Sequence, residues 1–217
     1  MTDASAIADY WDAAAPSFDE EPDHGLRGEA TRRAWAELLR KWAPSPPGDV
    51  LDVGCGTGSL SALLAAAGHR VTGVDLAPAM VECARTKMAA AGLRGSFLVG
   101  DAAAPPTEGG QFDMVLARHL LWTLPDPRAA LREWVARLRP GGTLLLVEGR
   151  WRQARQSPGA YVAGSESLPW GGGMLADDLA AAVGPLVSDQ RVEPLSGESD
   201  LWGRPVDDIR YALIAHV

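Results

Sequence analysis

The stretch Leu51-Asp52-Val53-Gly54-Cys55-Gly56-Thr57-Gly58 sets three glycines at every second position behind an acid. Glycines so placed let a backbone approach a nucleotide-like ligand, because a side chain at Gly54 or Gly56 would fill the space the ligand needs. Dinucleotide sites use a G-x-G-x-x-G spacing. Here the spacing is G-x-G-x-G, and Ser59 stands at the third dinucleotide position. Three acids sharpen the reading. Asp75 and Asp101 each close a short apolar run. A carboxylate at Asp75 can accept from both hydroxyls of a ribose diol, and Asp101 can accept from an adenine amino group. Asp52 adds negative charge beside a turn that would otherwise suit phosphate. A cationic sulfonium with an amino-acid tail fits this set better than a pyrophosphate.

His119 follows the apolar run Phe112 to Ala117 and is the candidate general base, since histidine titrates near neutrality. The alternative is a pocket-lining or structural histidine. His24, in an acidic stretch, is the weaker candidate, and His69 and His216 read as structural or exposed. Cys55 reads as a small residue that fits the turn and not as a nucleophile. The four histidines and two cysteines show no metal-ligand spacing, so no metal is expected.

The elements that must position these groups alternate. Ala6 to Ala15 reads as a short helix that Pro16 and Pro22 keep from extending. Glu29 to Ala43 is amphipathic, with Ala30, Ala34, Trp35, Leu38, Leu39 and Trp42 on its apolar stripe. Strands are expected at Val50–Val53, Arg70–Leu76, Ser96–Val99, Phe112–Ala117 and Thr143–Val147, with helices at Ser59–Ala67, Pro78–Ala90 and Pro127–Leu138 between them. Pro140-Gly141-Gly142 reads as a turn. Such alternation predicts an α/β fold: a parallel sheet with helices on both faces and all strand C-termini on one edge. The glycine turn, Asp75, Asp101 and Arg118-His119 all fall on that edge, where ligands bind. Residues 149–173 hold Trp151, Tyr161, Trp170 and six glycines without periodicity, and a loop of that length is usually functional. A helix at Met174–Val183 and strands at Val187–Val192 and Arg210–Val217 end the chain.

The bulk numbers narrow the function classes. The length of 217 residues suits one domain. The net charge is −8, and no segment is basic enough to track a phosphate backbone. Residues 1–47 hold nine acids against five bases, 48–150 hold ten of each, and 151–217 again hold nine against five. Nucleic acid is therefore a poor substrate candidate. No apolar run reaches membrane-spanning length and the first residues lack a basic leader, so a cytoplasmic protein with free thiols is expected.

Residues 48–148 resemble a class I S-adenosylmethionine-dependent methyltransferase of the small-molecule, UbiE-like bacterial type. The resemblance rests on LDVGCGTG, VTGVDLAPAM, FLVGDAAAPP, FDMVLARHLLWTLPDP and LRPGGTLLLVEG, in the family's order and spacing, over about half the chain. The opening YWDAAAPSFDEEPDHG is similar to N-terminal arms of some members. The resemblance implies a Rossmann-like sheet of order 3-2-1-4-5-7-6 with strand 7 antiparallel. It implies that Gly54, Cys55 and Gly56 hold the methionine part of the cofactor and that Asp52 positions its amino group. Asp75 would take the ribose, Leu76 would lie against adenine, and Asp101 and Ala102 would recognise it. Ala117 and Arg118 would line the methionine end, and the arm with Tyr10 and Trp11 would close over the site. The product would be S-adenosylhomocysteine. Ala77 stands where many relatives have a helix-capping Ser, at a cost of about 1 kcal/mol of local stability.

These expectations divide the single domain into an arm and helix acting as a lid (1–47), a cofactor core (48–148), a substrate loop (149–173) and C-terminal strands (174–217). Acceptor contacts are expected from Phe18, Trp122, Trp151, Tyr161 and Trp170, with Trp202 beside them, as an aromatic pocket for a flat or apolar small molecule. The alternative is ordinary core packing. Transfer to O, N or C stays open, as does a monomer or a homodimer. Competing readings are an RNA or protein methyltransferase, a non-catalytic cofactor-binding protein and, more distantly, a nicotinamide oxidoreductase.

Overall fold

The computed structural model describes residues 4–150, 162 and 165–217. Seven strands form one sheet in the order β3-β2-β1-β4-β5-β7-β6. They are β1 (Asp49–Val53), β2 (Arg70–Asp75), β3 (Ser96–Val99), β4 (Phe112–Arg118), β5 (Leu138–Arg150), β6 (Asp189–Pro194) and β7 (Ile209–His216). β1 to β5 pair in parallel, and β7 runs antiparallel to both β5 and β6. The order reverses between β1 and β4, which is where a crevice opens at the strand C-termini.

Strand residues alternate between two packed faces because successive side chains point to opposite sides. Val50, Met114, Leu116, Leu145, Val147, Ala212 and Ile214 face α3 (Glu29–Trp42), α4 (Ser59–Ala66) and α8 (Ser199–Trp202). Leu51, Val53, Val115, Ala117, Leu144, Leu146 and Leu213 face α6 (Pro127–Ala136) and α7 (Ala176–Val183). Trp35, Trp134 and Trp202 are fully buried, and each indole N–H donates to a backbone carbonyl: Leu201, Ala102 and Leu195. Trp35 and Trp42 are core residues, while Ala30 of the expected stripe is exposed.

Three boundaries differ from expectation. Helix α1 runs Ala4–Phe18, straight through Pro16. Pro16 lies in the last turn, where its missing N–H forfeits the bond to the carbonyl four residues back, and the helix stops two residues later. Pro22 does not interrupt a helix but begins one, α2 (Pro22–Gly25), where a first-turn proline loses no hydrogen bond. Pro140-Gly141-Gly142 is not a free turn but an irregularity inside β5. The register steps from Phe112↔Leu138 to Met114↔Thr143, and Gly141 takes φ +78° to absorb the extra residues.

Candidate active site

The glycine turn is hooked to β2. Gly54 N–H and Cys55 N–H both donate to the Val74 carbonyl, at 2.8 and 3.1 Å, and Gly56 N–H donates to Asp75 Oδ2 at 2.8 Å. Gly54, Gly56 and Gly58 all have positive φ, the region that favours glycine. A Cβ at Gly54 would meet Leu120 at 2.8 Å, and one at Gly58 would meet the Cβ of Ala84 at 2.8 Å. Ala84 lies on α5 (Pro78–Ala90), so Gly58 lets the turn sit against that helix.

A cavity of about 580 Å³ opens at this edge. Asp52, Gly54, Cys55, Gly56, Asp75, Leu76, Asp101 and Ala102 line one side of it. Arg118, His119, Leu120 and Trp122 line another, and Trp11 and Phe18 of α1 complete the wall. Trp11 packs edge-on against Trp122 with centroids 6.5 Å apart, so the arm reaches across to the turn after β4.

Asp52 is buried, and its Oδ2 accepts from Ser61 Oγ at 2.6 Å. Burial pushes its carboxyl up to about 7, with Asp75 adding to the effect and Ser61 and Arg118 opposing it. A cation placed beside this buried carboxyl would favour its ionised form. Asp75 Oδ1 accepts from Ala77 N–H at 3.0 Å, and burial raises its pKa despite that bond and the one from Gly56. Asp101 is exposed and accepts from Ala103 N–H, while Trp134 holds the Ala102 carbonyl at 2.7 Å. These groups fit the adenosyl and amino-acid parts of S-adenosylmethionine. The Asp52 and Asp75 carboxyls and the exposed Asp101 offer acceptor oxygens along the cavity. Burial drives the Cys55 thiol pKa up, which removes its nucleophilic form.

His119 adopts φ +54°, a strained conformation of the kind found at functional sites. Its N–H donates to the Val147 carbonyl, and its ring stacks on Trp202 at 6.0 Å. The turn behind it is held by Glu148, whose Oε1 accepts from Leu120 N–H at 3.0 Å and Leu121 N–H at 2.9 Å. Burial lowers the His119 pKa well below the usual histidine value, and Arg118, Arg210 and His24 lower it further. The imidazole is therefore neutral at physiological pH and sits in a positive field.

Several expected residues lie elsewhere. Ala117 is fully buried under the turn and Tyr10 is 43% exposed; neither lines the cavity. Trp170 packs partly buried against the core with the Arg128 guanidinium 5.9 Å from its ring centroid, and Trp202 is buried beneath Arg118 and Arg210. Trp151 and Tyr161 fall outside the described residues. Of the expected acceptor contacts, Phe18 and Trp122 line the cavity, and Glu21, Asp23, His24, Arg204, Asp208 and Arg210 line it with them. Asp23 Oδ2 accepts from Arg118 at 3.0 Å and from Arg210 at 3.4 Å, and Asp208 binds Arg210 from the other side at 2.7 Å. Sequence reasoning missed this ladder because its members are up to 187 positions apart and share no motif.

Residues 50–142 match the family model described as a methyltransferase domain. The sheet order, the glycine turn and the acids at the C-terminal ends of β1, β2 and β3 agree with that match. This segment is similar to methyltransferase domains. The chain is 38% identical over 141 residues to a ubiquinone biosynthesis O-methyltransferase of Xanthomonas axonopodis pv. citri, covering 63% of this chain and 54% of that protein. The chain thus spans about half the length of the curated relatives it matches. Two solved structures share the fold across nearly the whole chain. The 4+2 cyclase SpnF superposes with a TM-score of 0.74 at 21% identity, covering 99% of this chain and 97% of its own. Magnesium protoporphyrin IX methyltransferase of Synechocystis PCC 6803, with bound SAH, superposes at 0.70 with 20% identity and 99% of both chains covered. No helix among the described residues is long and apolar enough to cross a membrane.

Proposed function

We propose that this chain is an S-adenosylmethionine-dependent methyltransferase acting on a small molecule. The observation that carries the reading is the meeting of Asp52, the glycine turn, Asp75 and Asp101 with Arg118, His119 and the arm residues Trp11 and Phe18 around one cavity at the reversal point of the sheet. When bound, S-adenosylmethionine supplies an electrophilic methyl group on a sulfonium.

The residues divide the remaining work. Asp52 orients the ammonium of the amino-acid tail, the Gly54–Gly56 backbone lies along that tail, and Asp75 takes the ribose hydroxyls. Asp101 and Ala102 meet the adenine, with Leu76 against its face. Helix α1 acts as a lid that excludes water, and alignment of the reacting groups supplies much of the rate. His119 is neutral and accepts a hydrogen bond or proton from the acceptor. A base weakened in this way suits an acceptor hydroxyl that is itself acidic, and the field of Arg118 and Arg210 favours the oxyanion formed. The roofed cavity supports a small acceptor over a macromolecule.

A second reading is kept alive by one finding: a 4+2 cyclase shares the fold, so the fold by itself does not imply transfer. Incubation with S-adenosylmethionine and candidate phenolic or enolic acceptors, followed by mass spectrometry, separates the two. Methylated acceptor together with stoichiometric S-adenosylhomocysteine supports transfer. Cofactor binding with no methylated product across such acceptors contradicts it. His119→Ala is expected to lower turnover at least about tenfold while leaving cofactor affinity within about twofold.

A further inference from the structure

Helix α5 begins without a cap of its own. Ala77 occupies the N-cap position with no side-chain acceptor, and Pro78 follows. The first turn of a helix leaves backbone N–H groups that need acceptors. Here the Ala79 N–H donates at 2.7 Å to Oδ1 of Asp12, a residue of the N-terminal arm 67 positions earlier. The carboxylate also meets the positive end of the helix. Around it, Ala15, Ala77 and Met80 are buried together, with Trp11, Ala14, Phe18 and Ala79 packed against them. Ala77 itself donates to Asp75 Oδ1 at 3.0 Å. A continuous path therefore runs from Asp75, through the start of α5, to Asp12 and its neighbour Trp11 in the cavity wall. A second acid of the arm is fixed to the glycine turn: Asp19 accepts from Thr57 Oγ1 and pairs with Lys87 at 2.9 Å.

We propose that Asp12 is a positioning residue that lends α5 its missing cap and thereby ties closure of the N-terminal arm to the Asp75 side of the cofactor pocket. The alanine at 77 is what makes the arrangement work. A serine there would reach the same N–H groups from within α5 and displace Asp12. The missing local cap is thus a vacant acceptor position that only the closed arm fills. The choice of S-adenosylhomocysteine as a probe rests on the function proposed above, whereas the latch itself is read on the free protein.

The test is hydrogen exchange by mass spectrometry on the full chain, for wild type, Asp12→Ala, Asp12→Asn and Asp12→Ala/Ala77→Ser, with melting temperatures and S-adenosylhomocysteine dissociation rates alongside. Asp12→Ala is expected to speed exchange over residues 4–18 about tenfold and to speed ligand release several-fold. Asp12→Asn keeps an acceptor oxygen and should stay within about twofold of wild type. In the double variant the serine should recover the melting temperature while arm exchange and ligand release stay fast, which a plain helix cap would not do. Unchanged arm exchange in Asp12→Ala overturns the proposal. So does a double variant in which arm protection returns together with stability. If wild type binds no S-adenosylhomocysteine, the cofactor reading fails, and the exchange data still decide the latch.

Discussion

In the proposed site Asp52 and Asp75 carry the cofactor contacts, and burial makes both carboxyls hard to ionise. Asp75→Ala removes the acceptor for a diol and should weaken S-adenosylhomocysteine binding about tenfold, or roughly 1.4 kcal/mol. Calorimetry checks this, and unchanged affinity would remove Asp75 from the site. Asp52 makes a pH prediction. Its folded pKa, about 7, lies above the ordinary 3.8, so the ligand-free fold favours the protonated form. Its contribution to stability is fully present below about pH 3.8 and is lost as pH rises through about 7. Glu148, also pushed up to about 7 by burial, acts with the same sign. A ligand ammonium against Asp52 favours the ionised form. Affinity should therefore rise with pH between about 6 and 8, with proton release on binding. Asp52→Asn should abolish that rise, as titrations in buffers of different ionisation enthalpy would show. At this scale the glycines and acids next to the strands were legible in the sequence, because their roles follow from local position. Asp12, Asp23, Arg210 and Glu148 were not, since each acts on a group brought near only by folding.

Among the elements, the turn after β1 is where packing and function constrain each other. Gly58 has φ +76°, and its Hα side faces Ala84 of α5. Gly58→Ala adds backbone strain and a contact at 2.8 Å with the Ala84 Cβ. It should lower stability by about 1–3 kcal/mol, measured by chemical denaturation. Wild-type stability in this variant would mean that the turn can move off α5. The strands and most helices were readable from apolar periodicity and from Gly and Pro. What misled were prolines: Pro16 and Pro22 read as breaks, yet one ends a helix and the other starts one. A first-turn proline such as Pro22 has no N–H bond to lose, whereas Pro16 gives up one bond in the last turn and the helix stops two residues later. The aromatic residues misled for a different reason. Trp202 and Trp170 are equally compatible with a core and a pocket by composition, and only the packing distinguishes them.

For the whole molecule, the sheet reversal gathers the loops of one edge, and residues of the acidic arm complete the cavity wall there. Residues 1–47 carry an excess of acids, and Asp12, Asp19 and Asp23 among them bond to α5, the glycine turn and the Arg118–Arg210 ladder. The central claim is that this assembly is an S-adenosylmethionine site. Calorimetric titration of the intact chain with S-adenosylmethionine, S-adenosylhomocysteine and NAD tests it most directly. The account predicts one site per chain with micromolar affinity for the first two and no heat with NAD. Binding of NAD, or no binding of either adenosyl ligand, would contradict it.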